Sequence, residues 1–242
     1  MLKARGLKKE FGSRAVLRSV DLDVHPGEIS VLVGPSGSGK TTLIRALSLL
    51  EEPDQGLIEI DDRRFEFPRT TRRPYERPWP ELTVVFQQLF LWPHLTLKQN
   101  ILLPVESSGR DGVGKQFDSL VKQFEMADFI DRHPNEVSLG QRQRAAILRA
   151  LMLRPKYILL DEITSALDVE QVSTVLAHLQ TLRDEGIGIL LVTHLIGFAR
   201  RAASRVFFMD DGEIIETGGP RVLTTPDNPR VRRFLSVIEA AH

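Results

Sequence analysis

The sequence predicts an α/β fold: a parallel sheet flanked by helices, carrying an inserted helical subdomain. Three observations predict it. Short continuous apolar runs lie in GEISVLVG (27–34), YILLD (157–161) and GIGILLVT (186–193), as in strands buried on both faces. Helical periodicity follows the first and the second of these runs. Between about residues 95 and 153 the pattern is helical, with few β-branched runs.

Each element has its own signal. Residues 2–9 and 15–24 alternate loosely and read as strands joined by a turn at Gly12-Ser13. After the strand in 27–34, LIRALSLLEE (43–52) has helical periodicity, with Pro53 and Gly56 just beyond it. A strand over 57–60, a long polar loop and a strand LTVVFQ (82–87) follow. ESSGRDGVG (106–114) reads as a flexible connector between two helices of the insert. Beyond Pro155 come the strand 157–161, a helix over 169–185, the strand in 186–193 and a further helix. RVFFMD (205–210) and EIIET (213–217) are strands around an Asp211-Gly212 turn. From Pro229 the tail is an amphipathic helix with Val231, Phe234, Leu235 and Ile238 on one face. The division expected is a core of 1–94 and 155–242 with a helical subdomain over 95–154, all within one domain of 242 residues.

Composition removes several classes of function. Lys+Arg and Asp+Glu are equal at 32 each, so nothing in the charge favours nucleic acid as a partner. With no cysteine there is no disulfide, Cys-ligated zinc or thiol nucleophile. MLKARGLKKEFG lacks the apolar core of a secretory signal. No stretch approaches ~18 uninterrupted apolar residues, so other chains must supply any membrane part. The histidines at 25, 94, 133, 178 and 242 form no metal-spaced cluster.

GPSGSGKT (34–41) fits G-x-x-x-x-G-K-[ST] between a buried strand and a helix. The chemistry needs this composition. Gly34, Gly37 and Gly39 let the backbone wrap closely around phosphate oxygens, with Pro35, Ser36 and Ser38 between them. The helix beginning near Lys40 aims its positive end at the same place. Lys40 reaches the terminal phosphates, and the Thr41 hydroxyl is a magnesium ligand. YILLDE (157–162) is an apolar strand ending in two acids. Neighbours on a strand point to opposite sides, so the two can take different tasks. Asp161 is placed for magnesium, and Glu162 to polarise an attacking water.

These residues resemble the nucleotide-binding subunits of ABC transporters, in that family's order and over nearly the whole chain. GPSGSGKTT, which includes Thr42, looks like its Walker A. VVFQQ gives the Q-loop with Gln87, for which Gln88 is the competing assignment. VSLGQRQR (137–144) resembles the LSGGQ signature, with Ser138, Gly140 and Gln141 matching. YILLDE is its Walker B, SALD (165–168) its D-loop with Asp168, and VTH (192–194) its switch-histidine motif with His194. Taken alone, His194 at the end of a buried strand fits a core histidine as well.

The resemblance implies a P-loop NTPase core with a parallel sheet, an antiparallel β subdomain and an inserted α-helical subdomain. It implies ATP and Mg2+ as cofactors, with Phe11 stacking on adenine. Gln87 would sense magnesium and the attacking water. His194 would hold the γ-phosphate and Glu162 in register. Asp168 would link two sites across a dimer. The partners implied are a second such ATPase subunit, simplest as a copy of this chain, together with transmembrane permease subunits and a periplasmic or extracellular substrate-binding protein. The place implied is peripheral, on the cytoplasmic face of the inner or plasma membrane.

Two positions depart from the family pattern. Leu139 replaces the first glycine of the signature pair, and Ile163 replaces the proline after the Walker B glutamate. Leucine keeps its N–H but resists positive φ, which would cost ~1–2 kcal/mol. The expectation is that residue 139 is helical or extended, leaving the turn intact.

The chain is most similar to the importers of polar amino acids, in FQQLFLWPHLTLKQNI (86–101), in 193–218 and in NPRVRRFL (228–235). The length leaves no room for the regulatory domain of roughly a hundred residues that sugar-importer ATPases carry. NILLPVE (100–106) is also similar to subunits serving lipid or lipoprotein export, which is the alternative. A soluble ABC ATPase acting on ribosomes or nucleic acid would show a second fused domain or a coiled coil, and neither is visible. The segment 61–80, with Arg69, Arg72, Arg73 and Arg77, reads as a solvated hairpin extension; contact with anionic lipid or a partner is the second reading. LFLWPHLT (89–96) reads either as part of a groove for a permease helix or as internal packing.

Overall fold

The computed structural model describes residues 1–69, 77–106, 111–164 and 169–240. The chain opens with a hairpin of β1 (Leu2–Phe11) and β2 (Arg14–Val24). β3 (Ile29–Val33) runs into α1 (Lys40–Leu47). A second hairpin, β4 (Gln55–Ile60) and β5 (Arg63–Phe67), precedes β6 (Leu82–Val85). Helices α2 (Leu97–Leu102), α3 (Val113–Gln123) and α4 (Leu139–Leu151) lie between β6 and β7 (Tyr157–Asp161). There follow α5 (Val169–Asp184), β8 (Gly188–Val192), α6 (Ile196–Ala202), β9 (Arg205–Asp210), β10 (Glu213–Gly218) and α7 (Pro229–Ala240).

The strands form two sheets. One is antiparallel, in the order β2-β1-β4-β5. The other runs β10-β9-β3-β8-β7-β6, parallel throughout except for β10 at the edge. Its central strands are buried on both faces, and alternate residues serve different cores. Val31, Ile158, Leu160, Ile189 and Leu191 pack with the helices that include α4 and α5. Leu32, Leu159, Leu190 and Val192 pack with Leu43, Ile44 and Leu47 of α1 and with the antiparallel sheet. This accounts for the continuous apolar runs, since no position on these strands faces water.

Four expectations need adjustment. The helix expected over 43–52 begins at Lys40 and stops at Leu47. Leu49 takes a left-handed φ of 54°, which breaks the helix although its side chain stays buried. The strand expected over 82–87 ends at Val85, and α3 begins at Val113, inside the expected connector. The polar loop after Ile60 contains a strand. β5 pairs with β4 and turns Phe65 and Phe67 inward while Arg64 and Glu66 face out. The tail helix α7 buries Val231 and Leu235 and packs Phe234 edge-on against Phe208. Among the described residues no helix is long and apolar enough to cross a membrane.

Candidate functional site

The phosphate-binding segment is a strand–loop–helix junction. β3 ends at Val33, and Gly34, Gly37 and Gly39 all take positive φ before Lys40 opens α1. Gly39 shows why the residue type matters. With φ at 106°, a Cβ there would lie 2.8 Å from the Val16 carbonyl oxygen and 3.0 Å from Met209 Cε. β2 and β9 therefore press the loop into a tight curl. Ser38 is buried, and its Oγ has no hydrogen-bond partner among the described residues. Pro35, Ser36, Thr41 and Thr42 complete the segment on either side of the helix start.

Lys40 is 7% exposed and folds back onto the loop, donating to the carbonyl oxygens of Gly34 (2.9 Å) and Pro35 (2.8 Å). Burial lowers its pKa, while Glu162 and Asp161 pull the other way. Asp161 ends β7 and is almost fully buried. Burial raises its pKa; the Thr41 hydroxyl opposes the rise, and the charge of Glu162 adds to it. One carboxylate oxygen of Asp161, Oδ1, has no hydrogen-bond partner among the described residues. A buried carboxylate with an unpaired oxygen beside a threonine hydroxyl is a hard-oxygen donor set, and it suits magnesium.

Strand adjacency brings Glu162 and His194 together. β7 and β8 run side by side, with Asp161 opposite Val192. Just past the paired positions, Glu162 N–H donates to the Val192 carbonyl at 3.0 Å, and Glu162 turns at a φ of 50°. Its carboxylate lies 3.9 Å from His194 Nδ1. Behind them the hydroxyls of Thr164 and Thr193 meet at 3.3 Å, with both residues buried. The sequence motif contains Thr193, but spacing assigned no task to either threonine.

Gln87 is exposed just beyond β6. It shares a cleft with Thr41, Arg45, Phe86, Gln88 and Asp161, so this glutamine and its competitor both border the phosphate region. Phe11, at the end of β1, is 47% exposed, with the Lys9 ammonium 5.5 Å from its ring centroid. Asp168 and the rest of SALD lie outside the described residues.

The signature turn is the start of a helix. Ser138 is the N-cap of α4, in an extended conformation; its hydroxyl accepts from Gln141 N–H, and Gln141 Oε1 accepts from Ser138 N–H. Leu139 is the first helical residue and is not among the residues with positive φ. Ser138, Gly140 and Gln141 line a crevice with Arg144, Glu125 and Glu170, and no residue of the 34–42 segment lines it. Among the described residues, this crevice and the cleft beside the phosphate loop have no lining residue in common.

A glycine-curled loop at a helix start, facing two strand-end acids, defines a nucleotide-binding protein of the P-loop class. The chain belongs to the ABC transporter family, whose profile matches residues 17–165. It is 40% identical over 239 residues to the glutamine transport ATP-binding protein GlnQ of Escherichia coli K12, covering 97% of this chain and 98% of that protein. It is also 40% identical over 244 residues to the glutamate transport ATP-binding protein GluA of Corynebacterium glutamicum, covering 99% and 100%. Among solved structures, the dimer of an ATP-binding cassette in a post-hydrolysis state bound to ADP and Pi matches with a TM-score of 0.78. Its identity is 31%, and the match covers 91% of this chain and 99% of that one.

Proposed function

We propose that this chain is the ATP-hydrolysing subunit of an importer of polar amino acids. The observation that carries the reading is the convergence of the Lys40 loop, Asp161, Glu162 and His194 at one end of the parallel sheet. The likeness to glutamine and glutamate transport proteins supports the substrate class. Backbone N–H groups of 34–42 would hold the β- and γ-phosphates, and Phe11 would stack on adenine. Lys40 would exchange its two carbonyl partners for phosphate oxygens, which suits a cation already drawn out of water. Thr41, Asp161 and Gln87 would hold Mg2+, which neutralises charge on the phosphates when bound. Glu162 accepts the proton of the water that attacks the γ-phosphorus as ADP leaves. His194 holds that carboxylate and the γ-phosphate in register.

Ser138, Gly140 and Gln141 of one copy would cover the nucleotide held by the other, with Asp168 between the two sites. Their separation from the phosphate loop within one chain supports this arrangement. The helical segment 95–154 would move against the core of 1–94 and 155–242 on closure. The permease would meet the face where Phe90 and Trp92 are exposed while Leu89 and Leu91 pack inward. Beside that face runs a cleft of about 770 Å³ lined by Leu50, Trp79, Phe86 and Arg149. The complex would sit on the cytoplasmic face of the membrane and take substrate from a binding protein outside.

The test is uptake of radiolabelled glutamine, glutamate, arginine and cystine by cells lacking this chain. Loss of uptake of at least one, restored by the wild-type chain and not by Glu162→Gln, is the expected result. Normal uptake of all four would reject the substrate class.

A further inference from the structure

We propose that the buried Thr164–Thr193 hydroxyl bridge positions Glu162 against His194, a role that rests on the reading of those two residues given above. Thr164 follows Glu162 by two residues, and Thr193 immediately precedes His194. The hydroxyl oxygens are 3.3 Å apart, and the residues are 1% and 0% exposed. Thr193 Oγ1 also accepts from Leu195 N–H at 3.1 Å, so one hydroxyl holds both sides of the turn that carries His194. A hydroxyl has one proton and two lone pairs, which is enough for both bonds at once. Neither threonine faces solvent, so water cannot replace the bridge when it is removed.

The need for such a device follows from the geometry. Past the Glu162 N–H to Val192 carbonyl bond, the two strands are no longer paired. Glu162 turns away at positive φ, and its carboxylate stands 3.9 Å from His194 Nδ1, too far for a hydrogen bond. The two side chains are therefore not hydrogen-bonded to one another. Beyond the strand ends, the threonine bridge is a side-chain bond joining the two turns. A small displacement between a base and its partner reduces the chemical step without weakening nucleotide binding.

The experiment is steady-state ATPase kinetics on the full chain, with thermal melting of each variant. Thr164→Val keeps the volume and deletes only the bridge. It is expected to lower kcat about tenfold with KM for ATP unchanged, and Thr164→Ser is expected to restore it. Thr193→Val should lower kcat at least as far, and the double valine variant should be no worse than Thr193→Val alone. If Thr193→Val does not fold, Thr164→Val and its serine rescue decide alone. A Thr164→Val enzyme with wild-type kcat, or a loss not rescued by serine, overturns the proposal. Glu162→Gln and His194→Ala are measured alongside. If both still turn over, the reading of the site has failed; if both are inactive and Thr164→Val is normal, only the bridge has failed.

Discussion

At residue 139, one backbone angle decides what a leucine does in place of glycine. The peptide N–H groups that a signature turn offers to phosphate are the same for either residue. Only positive φ would separate the two, and residue 139 is the first residue of a helix. Ser138 and Gln141 close the capping box around it, so the turn is held by groups that do not involve the leucine side chain. Leu139→Gly is therefore expected to leave ATP turnover unchanged and to lower helix stability by at most about 1 kcal/mol. Ser138→Ala removes the cap, costs about 1 kcal/mol, and should also reduce turnover. Parallel ATPase assays and melts check both; a Leu139→Gly variant with collapsed turnover would show that the side chain itself works. Ile163 is similarly undramatic, buried in the core at 1% exposure beside a glutamate whose turn needs no proline.

Between elements, the two sheets are tied by Asp61, which sits in the β4–β5 turn with φ at 51°. It accepts from the Tyr157 hydroxyl at 2.7 Å and from Lys156 at 2.9 Å, and it pairs with the Met1 ammonium. Burial alone would raise its pKa, but those hydrogen bonds outweigh burial and hold the carboxyl well below its usual range. Burial, and after it the same contact, pushes the Tyr157 phenol up. A carboxylate with a depressed folded pKa adds stability above its unfolded pKa of about 4 and loses it as pH falls toward the folded value. Asp61→Asn should thus melt lower than wild type at pH 7, and the gap should narrow toward pH 2. A gap independent of pH would reject the ionic tie. Neither this tie nor β5 was legible in the sequence, for different reasons. Asp61 meets Tyr157, 96 positions away, a separation that no local pattern encodes. β5 was masked by Arg63, Arg64 and Glu66, although the alternation Phe65-Glu66-Phe67 carried the signal. β3, β7 and β8 were legible because burial on both faces leaves only apolar residues. The phosphate loop was legible for a different reason: its glycines, lysine and threonine lie in one contiguous stretch of chain. The approach of Glu162 to His194 depends on β7 lying beside β8, which spacing alone does not fix.

For the whole molecule, the arrangement of sites argues that one copy is half a machine. The Lys40 loop, Asp161, Glu162 and His194 gather at the end of the parallel sheet. The signature turn opens a separate crevice with Arg144 and Glu170. A helix start with a serine cap is suited to an anion, and among the described residues none of the phosphate loop lines its crevice. The pairing would be strongest with ATP bound and unhydrolysed, because the γ-phosphate is the group both halves can share. Replacing Glu162 by glutamine removes the proposed proton acceptor while preserving size, so it should trap that state. Light scattering on Glu162→Gln is expected to show a single-chain mass without nucleotide and twice that mass with saturating ATP. ADP should leave it monomeric. Adding Ser138→Arg, which places a bulky cation on the signature turn, should abolish the ATP-dependent dimer while Lys40-dependent nucleotide binding persists. A Glu162→Gln protein that stays monomeric with ATP bound and still hydrolyses it would show that the site is complete within one chain.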